Sequence, residues 1–468
     1  MSDLKAFRKL SGVESYMYWR TVDSHAASFR VGAKYSKEIS VESLYKALSH
    51  LCYKYNNLSV NIYDDKIKDK TGAGVLQFMD TITLKDVLTI VDDKKENCET
   101  QIDKVHNYYF TYGSAEPLWK IILINKKELL FYCDHVPFDG MAAANFHKLL
   151  IKNLNNIENI ESKDEFIGME SILFDYSKTP ENWSLPPDAA DIIESKLSFA
   201  RHLYEMGVMV LPFSLSKWIR YFFSDNKYAH KMDYNPRSLS SPGVDDKAEW
   251  VYLPHNRVEK LAQLCRLNNV KISSLLSLLI MIAAKDILKG HDNTLSLATN
   301  IRDLIDVDKA VKLCPNFNSE IGCYAGLVHF DLPAIEKVFP DGKIDWDVVK
   351  TMHEYLHKYS PRSYELSDIF KTYNVRKILQ SKFDYIKKGN SDLLAFFLSN
   401  LGDMSIDTKD GDIDIDRMWF DHENNGGIIW INAATAKQGM SLSIRTHVPE
   451  WRKLVRSETE KLLYSLTE

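Results

Sequence analysis

A mixed α/β chain (α/β to α+β) of two similar-sized halves is the fold class the sequence predicts. Each half opens with strand and helix. Strand-like and helix-like segments alternate throughout, with no internal repeat. A proline-rich stretch over about 164–246, carrying Pro180, Pro186, Pro187, Pro212, Pro236 and Pro242, separates the halves. The division expected is 1–175, a crossover and linker over 176–247, and 248–468.

The elements follow in order. Leu44, Ala47, Leu48, Leu51 and Tyr55 recur at helical spacing behind Ser40, a candidate N-cap. Leu58–Tyr63 alternates as a strand does. Leu118–Asn125 and Glu128–Cys133 read as two strands joined by a turn at Lys126-Lys127, and a helix is expected over Met141–Leu154. The crossover should close at a linker near Ser238–Lys247. Beyond it come a strand at Trp250–Leu253 and helices at Val258–Leu267 and Ser273–Leu288. Strand-like runs then stand at Thr294–Thr299, Ile321–Phe330, Leu393–Ser399, Gly427–Ala433 and Met440–His447, before an amphipathic helix at Pro449–Leu466.

Composition excludes several classes. With 468 residues, 45% of them hydrophobic and 26% charged, the chain can bury large cores and is neither disordered nor collagenous. A net charge of −5 does not suit a nucleic-acid surface, so no nucleic-acid partner is expected. The six cysteines form no Cys-x-x-Cys pair, which removes the zinc-ribbon pattern and makes a disulfide framework unexpected. The first ten residues carry four charges and no apolar run, so no secretory signal is expected. The apolar stretch Ile272–Ala284 falls short of the ~20 residues of a membrane span and reads as a buried helix. An intracellular, cytoplasmic monomer is expected, with peripheral contact to the endoplasmic reticulum or a lipid droplet left open.

One segment carries chemistry. Among the fourteen histidines, aspartate stands four residues on only after His135, in His135-Val136-Pro137-Phe138-Asp139-Gly140. Pro137 forbids helix there, so the histidine sits on a loop or strand end that reaches a cleft. A neutral imidazole is the usual base for stripping a proton from an attacking hydroxyl or amine. Asp139 would fix the loop or the ring tautomer, and Gly140 would allow a tight turn. On the pattern alone, a packed structural histidine is the stronger reading, because His-x-x-x-Asp is loose.

The context changes this. HVPFDG after a hydrophobic strand, with Pro117-Leu118-Trp119 ahead of it, resembles the HxxxDG motif of the chloramphenicol acetyltransferase-like superfamily. Arg8 to Glu14 resembles the N-terminal block of the fungal alcohol acetyltransferases. Asn300-Ile301-Arg302 followed by Gly322-Cys323-Tyr324 resembles their central stretch, and Ser399-Asn400-Leu401-Gly402 their late strand. The likeness runs from about residue 8 to 460. Asp134 stands where condensation domains carry a first histidine, and the plant branch's DFGWG is missing; both departures fit the fungal branch.

The resemblance implies two similar domains with a tunnel between them, acetyl-CoA entering from one face and the acceptor from the other. It implies His135 as general base, and Asp139 as a structural residue paired with an arginine, for which Arg302 is the candidate. Ser399 or Asn400 would lie near the oxyanion. It leaves open O-acetylation of an alcohol or sterol, N-acetylation of a sphingoid-like amine in detoxification, and an inactive binding or scaffold protein.

Two other features compete. His353-Glu354-Tyr355-Leu356-His357 is formally the zinc-protease pattern on a helix over Trp346–Tyr359. Ser360 and Ser363 stand where the extended pattern needs Gly and His, so no metal is expected. The apolar run Phe199–Phe223 reads first as a buried crossover helix pair, with an acceptor-tunnel lining or a membrane-interface helix as alternatives.

Overall fold

The computed structural model describes every residue except 1–5, 25–27, 64–72, 195–202, 205–206, 208–210, 212, 234–246, 365–373, 388–393, 423–428 and 447. The first half holds β1 (Phe7–Lys9), β2 (Phe29–Tyr35), β3 (Val60–Tyr63), β4 (Val75–Phe78), β5 (Thr81–Thr83), β6 (Leu88–Val91), β7 (Trp119–Ile124), β8 (Glu128–Cys133) and β9 (Ile172–Asp175). The second holds β10 (Glu249–Pro254), β11 (Asn293–Asn300), β12 (Ala325–Leu332), β13 (Leu394–Asp403), β14 (Ile415–Asp421), β15 (Ile429–Ala436) and β16 (Gly439–Arg445).

Two sheets organise the molecule. A six-stranded sheet in the order β10-β16-β15-β13-β11-β12 belongs to the second half. A five-stranded sheet runs β14-β2-β8-β7-β6. The linear division is crossed by β14, which comes from late in the chain and pairs antiparallel with β2, from its start. The helix Val375–Lys387 crosses it too, packing Val375 and Leu379 into the first-half core beside Trp19. β14 is also tied to the other sheet, since Ser443 donates to the Phe420 carbonyl at 2.9 Å and Arg417 to the Ser441 hydroxyl at 3.1 Å.

Each sheet has its own core. In the first half, helices Val41–Lys54 and Gly140–Leu154 bury Leu44, Leu48, Phe146 and Leu150 against Val31, Phe131 and Trp119. In the second, helices Ile272–Ala283 and Trp346–Tyr359 pack on Leu295, Phe396 and Ile431. No single helix among the described residues is long and apolar enough to cross a membrane.

Many expected elements stand close to their places: Ser40 caps its helix, the Lys126-Lys127 turn joins β7 to β8, and the helix over Pro449–Leu466 has those bounds. The turn begins at Asn125, which shares the left-handed backbone region with Lys126 and suits it because its short amide side chain tolerates that region. Among the described elements that lay outside the sequence reading are β2, β14, the short strands β1, β4, β5, β6 and β9, and the helices Gly12–Val22, Cys98–Lys104 and Val375–Lys387. The strand expected over Ile321–Phe330 begins only at Ala325, because the residues before it serve the site described next.

The expectation of a buried helix pair over Phe199–Phe223 is corrected in part. Helix Phe213–Phe223 exposes Trp218, Phe222 and Phe223 to solvent, which also removes the two phenylalanines from any tunnel wall. Much of 199–212 lies outside the described residues.

Candidate active site

Three neighbouring strand ends converge at one edge of the five-stranded sheet. In register, Phe29 of β2 faces Cys133 of β8 on one side, and Arg30 faces Asp421 of β14 on the other. The residues that follow β8 and β14, Asp134-His135 and His422, therefore meet around Phe29. The His135 ring lies 4.9 Å from Phe29 and 5.4 Å from His422, centroid to centroid. His422 stacks on Trp430 at 5.2 Å, and Trp430 on Phe397 at 4.0 Å. A column of flat side chains thus joins His135 to the six-stranded sheet.

The loop leaving β8 is fixed by its own polar groups. The Asp134 N–H donates to the Leu118 carbonyl at 2.9 Å. The Asp134 carboxyl accepts from the Val136 N–H at 2.8 Å, from the Tyr112 hydroxyl and from Thr21. Asn57 donates to the Pro137 carbonyl at 3.0 Å. Burial pushes the Asp134 carboxyl up to about 6.

Asp139 ends the loop and caps the helix Gly140–Leu154. Its Oδ1 accepts from the Ala142 N–H at 2.7 Å and from Arg302 Nη2 at 2.9 Å. Oδ2 accepts from Arg302 Nη1 at 2.9 Å and from the Tyr324 N–H at 2.7 Å. Arg302 further donates to the Ser319 carbonyl at 2.7 Å and the Gly322 carbonyl at 3.1 Å. This is a buried, bidentate clasp between the halves, with both carboxylate oxygens used. Of the two roles expected for Asp139, fixing the loop matches these bonds; steering the His135 tautomer does not. The clasp also explains the late start of β12, since Gly322 and Tyr324 give backbone groups to it.

Gly140 needs a different explanation from the one expected. Its backbone lies outside the left-handed region. A Cβ there would come within 3.0 Å of Leu401 and 3.1 Å of Phe420, so glycine lets the helix start approach β13 and β14 closely.

Burial, joined by the nearby Arg20 charge, pushes the His135 imidazole down to about 4. It is neutral at pH 7. Its own backbone, the Asp139 charge and the Phe138 backbone oppose the shift without cancelling it. Cys323 Sγ lies 3.9 Å from His135 Nδ1. Burial, then the Asp139 charge, pushes this thiol well up, so it stays protonated.

The structure gathers His135, Asp139, Gly140 and Arg302 into one site. Ser399 and Asn400 stand on β13, just before the Leu401 that packs on Gly140. Asn400 donates to Ser273 at 3.1 Å and accepts from the Gly402 N–H at 2.9 Å, at an irregularity in the strand. His353 and His357 lie on their expected helix, and burial with His357 lowers the His353 imidazole. Among the described residues no group of three His, Cys, Asp or Glu side chains converges as a metal needs.

Sequence reasoning missed Phe29, His422 and Arg20 at this site. The Arg20 helix was findable, because Ser11 and Glu14 form a capping box that the spacing S-x-x-E announces. Phe29 and His422 carry no local signal; register alone joins them.

A model of the alcohol acetyltransferase family matches residues 9–466. The N-acetyltransferase SLI1 of Saccharomyces cerevisiae is 23% identical over 409 residues, 84% of each chain. Among solved structures, the trichothecene 15-O-acetyltransferase TRI3 of Fusarium sporotrichioides is 11% identical with a TM-score of 0.64, covering 99% of this chain and 95% of its own. The starter condensation domain of rhizomide synthetase, in complex with C8-CoA, is 10% identical with a TM-score of 0.59 over the same shares. These neighbours share the pseudo-two-domain fold.

Proposed function

The chain belongs to the alcohol acetyltransferase family and is an acyltransferase; from that premise we propose that it transfers acetyl from acetyl-CoA to a hydroxyl or amine of a hydrophobic small molecule. The observation that carries the reading is a neutral His135 on a loop clasped between the two halves. The halves, taken as 1–175 and 248–468 about the crossover, would enclose the substrates in a tunnel at this loop.

The chemistry balances with no further reactant. The acceptor's O–H or N–H gives its proton to His135 as the oxygen or nitrogen attacks the thioester carbonyl. The tetrahedral adduct collapses, the C–S bond breaks, and the proton passes to the departing thiolate, leaving the acetylated acceptor and CoA thiol. A base pushed down to about 4 is available at neutral pH, and its conjugate acid returns the proton readily. Asp139 and Arg302 hold the loop rather than touch the reacting atoms. Ser399 is our candidate for a donor to the oxyanion, with Asn400 beside it.

The family name supports a hydroxyl acceptor, and the name of the yeast relative supports an amine. An acetyl group on a sphingoid-like amine removes its charge, a chemistry suited to detoxification. The test is thiol release from acetyl-CoA across alcohols, sterols and long-chain amino alcohols, with products read by mass spectrometry. A single acetylated product from one of these classes is expected; no thiol release with any of them sinks the proposal.

A further inference from the structure

Helix Phe213–Phe223 puts large apolar groups where a folded chain ordinarily hides them. Leu215 is 53% exposed, Trp218 55%, Phe222 64% and Phe223 73%. Trp218 and Phe222 stack on each other at 5.8 Å and so form one continuous surface. Contiguous apolar surface of this kind marks an interaction site. At eleven residues the helix is far too short to cross a bilayer, which needs about 20.

The helix is anchored by the segment after it. Asn226 donates to the Asp331 carbonyl at 2.6 Å, and Tyr228 packs edge-on against Phe330 at 6.1 Å. Ile219 faces Gly207, where a Cβ would come within 2.6 Å of it. The aromatic surface is thus held on the six-stranded half.

Charge selects the occupant. Over 211–233 the sequence carries Lys217, Arg220, Lys227 and Lys231 against Asp225 and Asp233. Both carboxylates are met by lysines from elsewhere, Asp225 by Lys358 and Asp233 by Lys337. By sequence the segment is net positive, and Lys227, His230 and Lys231 stand exposed just past the aromatic surface. Exposed Trp and Phe beside basic groups match a bilayer interface, where aromatic rings sit at headgroup depth and lysines meet anionic lipid.

We propose that the helix Phe213–Phe223 and its basic flank dock the protein onto an anionic lipid bilayer. The inference stands independently of the catalytic reading, because binding is measured without acceptor or acetyl-CoA. The experiment sediments the full chain with phosphatidylcholine vesicles containing about one-third phosphatidylserine, and with phosphatidylcholine alone, at low and high salt. The wild type should pellet with the anionic vesicles and be released by salt. The triple variant Trp218→Ser, Phe222→Ser, Phe223→Ser should bind about tenfold or more weaker at unchanged thermal stability. The pair Lys227→Glu and Lys231→Glu, which keeps the aromatic surface and remains informative if the triple variant fails to fold, should lose about fivefold per lysine on anionic vesicles only. Three results overturn the proposal: no pelleting above the vesicle-free control, pelleting indifferent to both variants, or an aromatic surface that proves to hold two copies together in gel filtration without lipid.

Discussion

Among the described residues, the ion cluster at Asp139 and the one at Asp421 both join the halves of this protein, and they differ in what they hold. Asp139 meets one guanidinium, that of Arg302, and spends its other bonds on the backbone of Ala142 and Tyr324. Asp421 meets two, accepting from Arg30 at 3.1 Å and from Arg445 at 2.7 and 2.9 Å, all three side chains fully buried. The first cluster ends a loop that carries a histidine. The second ties β2, β14 and β16 together beneath the aromatic column. Breaking the first should move the site; breaking the second should threaten the fold.

The largest effect is expected at Asp421. Asp421→Ala would leave two buried guanidinium groups facing each other, at a cost of about 3–5 kcal/mol or more. Urea unfolding checks this; a loss under about 1 kcal/mol would mean the cluster is not the suture described here.

Asp139→Ala should cost a similar ~3–5 kcal/mol and lower the rate of thiol release as well. Asp139→Asn keeps a cap acceptor but loses the charge, so it should fall between the alanine variant and wild type in stability. Equal stability of all three would sever the clasp from the fold.

A smaller effect concerns pH. The Asp134 carboxyl, raised to about 6 when folded, holds its proton between roughly pH 4 and 6, where the unfolded chain has released it. Its contribution to stability is present at low pH and lost as pH rises through that window. Asp134→Asn cannot titrate, so its melting temperature relative to wild type should climb from about pH 4 to 6 and then level. A difference that stays flat contradicts the raised carboxyl.

The comparison also marks what the sequence makes legible. His135, Asp139 and Arg302 sit in short motifs, and it is the resemblance of those motifs to a known family, not their spacing, that points to the Asp139–Arg302 pair. Gly140 was noticed for a turn, yet its reason is the approach of Leu401 and Phe420 from strands some 260 residues or more away. β2 and β14 escaped because their pattern misleads. FRVGAKY is buried at nearly every position rather than alternating, and IDRMWFD carries charges that look like surface. Arg30 and Asp421 are each other's reason for being inside, and neither can be read alone.

The central claim is that His135 is the general base, and one variant tests it. His135→Ala, assayed by thiol release with the acceptor found in the screen, should lose about 10²-fold or more in turnover, since general-base assistance is typically worth roughly 10²–10⁴. Its melting temperature should stay close to that of wild type. A His135→Ala enzyme that folds and turns over at near-normal rate would contradict the account.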